Sequence, residues 1–162
     1  MKSDDPVKMA LNYAYRLLSY RSRSEKELID KLNTKGFDEG ISNKVLRQLR
    51  SSGLIDDARL ASSLSRLAAE YKHLGASGTR RFLADRGIPR GIITEAVKEI
   101  DEFETAGRLI QKKLRLMRDL PENMVIRKLY GILMRKGYSY EIIKKALRDM
   151  DLSMPDSITA EH

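Results

Sequence analysis

The sequence predicts an all-α protein of three tandem three-helix repeats, each about 50 residues long. Three observations carry that reading. A short phrase (Leu, two variable residues, a basic residue, Gly, a large apolar residue) is written three times. It stands as Leu32-Asn33-Thr34-Lys35-Gly36-Phe37, Leu83-Ala84-Asp85-Arg86-Gly87-Ile88 and Leu133-Met134-Arg135-Lys136-Gly137-Tyr138, with the glycines 51 and 50 residues apart. The same apolar pattern then follows each Gly: Ile41, Ile92 or Ile142 five residues on, Val45, Ala96 or Ala146 at nine, Leu46, Val97 or Leu147 at ten, and Leu49, Ile100 or Met150 at thirteen. Those offsets trace one face of a helix. Finally, no stretch shows the alternation that a half-buried strand requires.

Each helix can be placed from its own residues. The first runs from about Val7 to Tyr20, with Ala10, Leu11, Ala14, Leu17 and Leu18 as its apolar stripe. Ser19 to Arg23 is a short basic connection. Ser24-Glu25-Lys26-Glu27 is a capping box: the Ser24 hydroxyl accepts from the Glu27 N–H, and Glu27 reaches back to the Ser24 N–H. The helix it starts carries Leu28, Ile29 and Leu32 and stops at Gly36, a residue suited to the left-handed conformation at a helix end. Asp38 caps the third helix.

Repeat two opens after Gly53. Asp56 or Asp57 caps a longer helix whose seam is Leu60, Ala61, Leu64, Leu67, Ala68 and Tyr71. Residues 72–78 break it, a short helix with Phe82 and Leu83 ends at Gly87, and Pro89 takes the place held by Asp38 in repeat one. Repeat three begins near Phe103, with Ala106, Leu109, Ile110, Leu114 and Met117 on its first helix. Asp119-Leu120-Pro121 breaks it, Asn123 to Met134 forms the second helix, and Ser139 caps the third. The domain boundaries are thus a polar extension at 1–9, repeats at 10–53, 54–101 and 102–150, and a flexible acidic tail at 151–162.

Composition narrows the function. Cysteine is absent, which excludes disulfides and thiolate metal sites. The polar start and the lack of any membrane-length apolar run point to a cytoplasmic protein with no membrane association. Lys and Arg number 31 against 23 Asp and Glu, a net charge of +8 that invites a polyanionic or acidic partner. The excess is uneven: net +4 over 10–53, +1 over 54–101 and +6 over 102–150.

A catalytic reading finds little to build on. His73 and the terminal His162 are the only histidines, no metal-binding pair stands at helical spacing, and Gly75-Ala76-Ser77-Gly78 lacks the Lys-Ser/Thr that completes a phosphate loop. Asp56-Asp57 reads as a helix cap and repeat junction rather than an acid–base pair. No cofactor, metal or enzymatic activity is expected.

Binding is better supported. Arg108, Lys112 and Arg115 stand at i, i+4 and i+7 beside Lys113 and Arg118, a basic face opposite the apolar seam. Arg127-Lys128, Arg135-Lys136 and Lys144-Lys145 follow, and repeat one offers Arg21, Arg23, Lys26, Lys31, Lys35, Arg47 and Arg50. Such faces suit phosphates or a carboxylate-rich protein groove. The seven tyrosines, Tyr13 included, could stack on bases; Tyr71, Tyr130 and Tyr138 fall on core positions, and Tyr15, Tyr20 and Tyr140 are the main candidates. Lys35, Arg86 and Lys136, one before each repeated Gly, are open for function and expected along one side of the molecule.

Three segments carry a resemblance. Leu17-Leu18-Ser19-Tyr20-Arg21-Ser22-Arg23-Ser24-Glu25-Lys26-Glu27-Leu28 resembles the opening signature of the RecX family, bacterial regulators of the RecA recombinase. Gly53-Leu54-Ile55-Asp56-Asp57-Ala58-Arg59-Leu60-Ala61 is similar to its second signature, and Lys72-His73-Leu74-Gly75 followed by Leu83 to Ile88 to its third. The likeness covers about residues 10 to 150. Leu60 departs from it by standing where Phe is expected, and repeat three is the least distinctive part. The resemblance implies an elongated, curved array that lies along the groove of the RecA filament on DNA. It also implies inhibition of RecA ATPase and strand exchange, a part in recombination and the SOS response, and no enzymatic activity. A monomer with weak direct binding to single- or double-stranded DNA is expected. The alternative is an independent DNA- or RNA-binding module of helix-turn-helix-like repeats.

Overall fold

The structure, a computed structural model, describes residues 5–154. Residues 1–4 of the anticipated extension and the anticipated tail from residue 155 lie outside the described residues. Nine α-helices and no strand occur among those described: α1 Pro6–Tyr20, α2 Glu25–Lys35, α3 Glu39–Ser51, α4 Asp57–Glu70, α5 Ala76–Asp85, α6 Arg90–Lys98, α7 Glu102–Leu114, α8 Glu122–Arg135 and α9 Tyr140–Asp149. No helix among them is long and apolar enough to cross a membrane.

Local chemistry sets most of the ends. Ser24, Asp38, Asp101 and Ser139 each accept a backbone N–H of the first helical turn that would otherwise lack a partner. At the end of α2, Gly36 adopts φ +104° and donates its N–H back to Asn33. Gly87 and Gly137 repeat that left-handed corner at φ +76° and +87°.

The chain folds as two compact units. Among the described residues, the first holds the chain up to Leu64 together with Leu83–Ala96, and the second holds Ser65–Phe82 together with the stretch from Val97 to Met154. The helices α4, α5 and α6 therefore each contribute residues to both. In the first unit, Ala10 and Ala14 of α1 meet Leu28 and Leu32 of α2 and Val45, Leu46 and Leu49 of α3 in one buried cluster. The two alanines let the α1 backbone come close, and the leucines fill the space. In the second, Ala106, Leu109 and Ile110 of α7 pack with Val125, Ile126, Leu129 and Leu133 of α8 and with Ile143, Ala146 and Leu147 of α9. Burying each Leu or Ile contributes about 1.5–3 kcal/mol of transfer free energy.

Three expectations need correction. The helix α4 stops at Glu70, so Tyr71 leaves the seam and is 77% exposed rather than core; Leu67, one turn earlier, is already 39% exposed. The break after α4 is shorter than anticipated, because α5 starts at Ala76 and takes in Ser77 and Gly78. The helix α7 ends at Leu114, which leaves Met117 outside it.

Candidate functional site

Within the first unit, the Arg86-Gly87 corner sits on the start of α2. The Arg86 guanidinium donates to the Ser22 carbonyl at 3.2 Å and to Glu27 Oε1 at 3.3 Å. Arg21 donates to both oxygens of the same carboxylate, at 3.0 and 3.1 Å. Burial opposes ionisation of Glu27, but the hydrogen bonds and charges of Arg21 and Arg86 together outweigh it and hold the carboxyl below its ordinary range. A Cβ on Gly87 would come within 2.7 Å of Ser24 Oγ and 3.2 Å of Lys26 Cβ, so the corner closes only on glycine. From the start of α4, the Asp57 carboxylate accepts the Glu25 N–H at 3.0 Å while Asp56 accepts from Arg59. The acidic pair is thus both a cap and a junction. Burial, reinforced by Glu25 and Asp56, keeps the Asp57 carboxyl above its usual range despite the hydrogen bond from Glu25.

The second unit repeats this joint. The Gly75 N–H donates to the Lys136 carbonyl at 2.9 Å, and the Ser77 N–H donates to the Gly137 carbonyl at 3.2 Å. Lys136 Nζ donates to the Lys72 carbonyl at 2.9 Å, and the Tyr138 hydroxyl to the His73 carbonyl at 2.9 Å. Glu102, at the start of α7, caps the Ala76 N–H at 2.7 Å as Asp57 caps Glu25. Here main chain meets main chain. A Cβ on Gly75 would lie 2.7 Å from the Gly137 carbonyl, and one on Gly137 would run into the backbone nitrogen of Gly78 and lie 2.7 Å from its Cα.

The corner in α2–α3 is the exception. Around Gly36 nothing lies within 4 Å of where a Cβ would be, and Lys35 rests only over the Tyr13 ring, 5.6 Å from its centre. Lys35 and Gly36 are exposed and Phe37 half-buried, whereas Ile88 and Tyr138, the equivalent apolar residues, are 5% and 3% exposed.

The anticipated binding residues fall into two groups. Several are engaged within the fold: Arg21 with Glu27, Lys26 with Asp30 at 3.0 Å, Arg50 with Glu25 at 2.9 Å, Arg108 with Glu104, Arg23 with the Leu17 carbonyl, and Lys136 as above. Lys144 and Lys145 lie over the rings of Tyr140 and Phe103, at 5.9 and 4.5 Å. Among the described residues Lys31, Lys112, Lys113, Arg115, Arg127, Lys128 and Arg135 have no ion-pair partner; Lys113 is half-buried and the others exposed. Arg115, just past the end of α7, keeps helical dihedrals and so stays in register with Lys112.

His73 lies inside this positive field. Its backbone is left-handed at φ +52°, and its Nδ1 is buried without a hydrogen-bond partner. Burial, then Lys112, Lys136, Arg108 and Lys113 in that order, push its pKa down, so the ring is held neutral. Among the described residues no group of three or more His, Cys, Asp or Glu could hold a metal ion.

The joints were missed from sequence, although one signal was present. A small residue stands twelve positions before the corner Gly in the first two repeats, at Ser24 and Gly75, while Val125 stands there in the third.

Comparison with known proteins gives consistent matches. The family model described as "RecX, first three-helix domain" matches residues 10–49, the stretch of α1 to α3, and "RecX, third three-helix domain" matches residues 99–147, the stretch of α7 to α9. Regulatory protein RecX of Amycolatopsis mediterranei is 31% identical over 153 residues, covering 90% of this chain and 87% of that protein. Its counterpart in Chlorobaculum tepidum is 34% identical over 139 residues, covering 86% of each, and that in Clostridioides difficile is 33% identical, covering 91% of this chain and 70% of that protein. The crystal structure of RecX from Lactobacillus salivarius superposes with a TM-score of 0.82 at 26% identity, over 91% of this chain and 98% of the other.

Proposed function

Because the chain belongs to the RecX family, we propose that it is a non-enzymatic, monomeric, cytoplasmic regulator of RecA that binds the RecA–DNA filament and inhibits its ATPase and strand exchange. The observation that carries this reading is the set of cations in the second unit with no ion-pair partner among the described residues: Lys112, Lys113, Arg115, Arg127, Lys128 and Arg135. Residues 102–150 hold twelve basic and six acidic residues, and of the acids Glu104 is taken by Arg108 and Glu102 by Ala76. Such unpaired charge gains energy by displacing counterions from a polyanion or by meeting an acidic protein surface. Binding that favours one filament geometry shifts the filament's nucleotide and pairing equilibria.

The test is RecA ATPase on single-stranded DNA with added protein. Inhibition is expected, and an unchanged rate at saturating protein would sink the proposal. Replacing Lys112, Lys113 and Arg115 together by Glu should weaken filament binding and flatten its salt dependence by roughly one logarithmic unit of slope per lost phosphate contact. Unchanged affinity removes that face from the interface. Tight binding to DNA without RecA would favour an independent nucleic-acid module instead.

A further inference from the structure

We propose that the corner Lys35-Gly36-Phe37 is a docking site for the start of a helix in a partner protein, and that in the filament this partner is RecA itself. The second clause rests on the function proposed above. The first rests on this chain alone, which shows twice what such a corner receives. Arg86-Gly87 and Lys136-Gly137 each seat on the beginning of a helix and on carbonyls of the connection before it. What each corner Gly meets is small: the Ser24 hydroxyl and the Lys26 Cβ at Gly87, and bare main chain at Gly78 against Gly137. In both, the basic side chain donates to a carbonyl of that connection, Ser22 or Lys72.

The first corner has every part of this device and, among the described residues, receives no helix start; Lys35 and Phe37 touch only the Tyr13 ring and the edge of their own core. It has the basic residue, the left-handed glycine at φ +104° and the apolar residue, and the space beside Gly36 is open. Phe37 is left half-buried where the seated corners bury Ile88 and Tyr138. An aromatic edge, a cation and a glycine without steric cover are complementary to a protein backbone. A duplex backbone presents neither a row of free carbonyls nor a small capping side chain, so protein is favoured over nucleic acid. The expected occupant is a helix whose first residue is Gly, Ser or Ala and whose preceding two or three carbonyls are free.

The variant Gly36→Asn tests this. Asn tolerates the left-handed conformation better than other L residues, and its Cβ meets nothing within 4 Å, so the free protein should stay folded and melt only slightly below wild type, well above the assay temperature. A docked backbone would collide with it, as a Cβ at Gly137 would with Gly78. The probe is the RecA filament on single-stranded DNA, with the same DNA bare as control. The expected result is at least a tenfold loss of filament affinity in Gly36→Asn, a similar loss in Lys35→Glu, and unchanged affinity of Gly36→Asn for bare DNA. If the wild-type protein binds the filament and both variants bind equally well, the corner is overturned while the regulatory reading stands. If the wild-type protein binds no filament, both fall. A loss of affinity for bare DNA equal to that for the filament makes the corner a nucleic-acid contact. A concentration-dependent dimer that Gly36→Asn abolishes makes the occupant a second copy. Either of those last two results overturns the proposal.

Discussion

Replacing Gly137 by Ala should damage the second unit far more than the same change at Gly36 damages the first. Both glycines have positive φ, +87° and +104°, so both replacements force an L side chain into the left-handed region, at about 1–2 kcal/mol. At Gly36 nothing else is disturbed. At Gly137 the new methyl group meets the backbone of Gly78 and lies 3.0 Å from the Ser77 carbonyl carbon, atoms that have no rotamer to change. Relief requires the α5 start to move off the corner, which strains the hydrogen bonds Gly75 to Lys136 and Ser77 to Gly137. Overpacking of this kind costs about 1–3 kcal/mol, and each weakened hydrogen bond about 0.5–1.5 kcal/mol. We expect Gly137→Ala to exceed Gly36→Ala by at least about 2 kcal/mol. With a denaturant slope of about 2 kcal/mol per molar urea, that is a midpoint about 1 M lower. Urea unfolding by far-UV circular dichroism measures it, and amide exchange over 75–85 localises the opening. Equal midpoints for the two variants would refute the backbone joint.

Other perturbations probe the same joints. The Arg86–Glu27 contact is partly buried, with side chains 23% and 18% exposed, so Arg86→Met and Glu27→Gln should each cost about 1 kcal/mol and couple by about 0.5–1 kcal/mol in a double-mutant cycle. Strict additivity would show that the pair is incidental. Because the Glu27 carboxyl titrates below its ordinary range, its contribution is present at neutral pH and is lost as pH falls through that lowered value; Glu27→Gln should flatten this acid limb. His73 works in the opposite direction. The folded state binds its proton less tightly than the unfolded chain, so stability should rise as pH rises through about 6.5 and fall below it. Asn also tolerates the positive φ there, and His73→Asn should remove that slope between about pH 5 and 7 in thermal melts. A slope that survives the substitution would place its source elsewhere.

Much of the fold was legible because its signals are local. Ser24, Asp38 and Ser139 act within three residues of themselves, and the leucines of the repeated phrase lie at helical spacing, so caps and core could be read along the chain. The site was less legible for the same reason. Arg86 looked free beside Gly87, yet its partners Glu27 and Ser22 stand 59 and 64 residues away. Lys136 and Tyr138 use carbonyls, which every residue carries and no sequence pattern marks. Tyr71 was misplaced because one residue decides whether a position ends a seam or leaves it. The basic residues could be counted but not sorted, since pairing of Arg21 and Arg50 to Glu27 and Glu25 depends on how α1, α2 and α3 converge.

The contact between Gly78 and Gly137 also has a mechanical meaning. Side-chain contacts yield gradually under load, because long chains can tilt and slide through successive rotamers. Here two stretches of main chain touch with no side chain between them, so there is no compliant layer to absorb a displacement. Pulling them apart by a fraction of an ångström strains both backbone hydrogen bonds at once. A joint built this way is stiff up to its limit and then fails abruptly, so force on the second unit should separate it in one step.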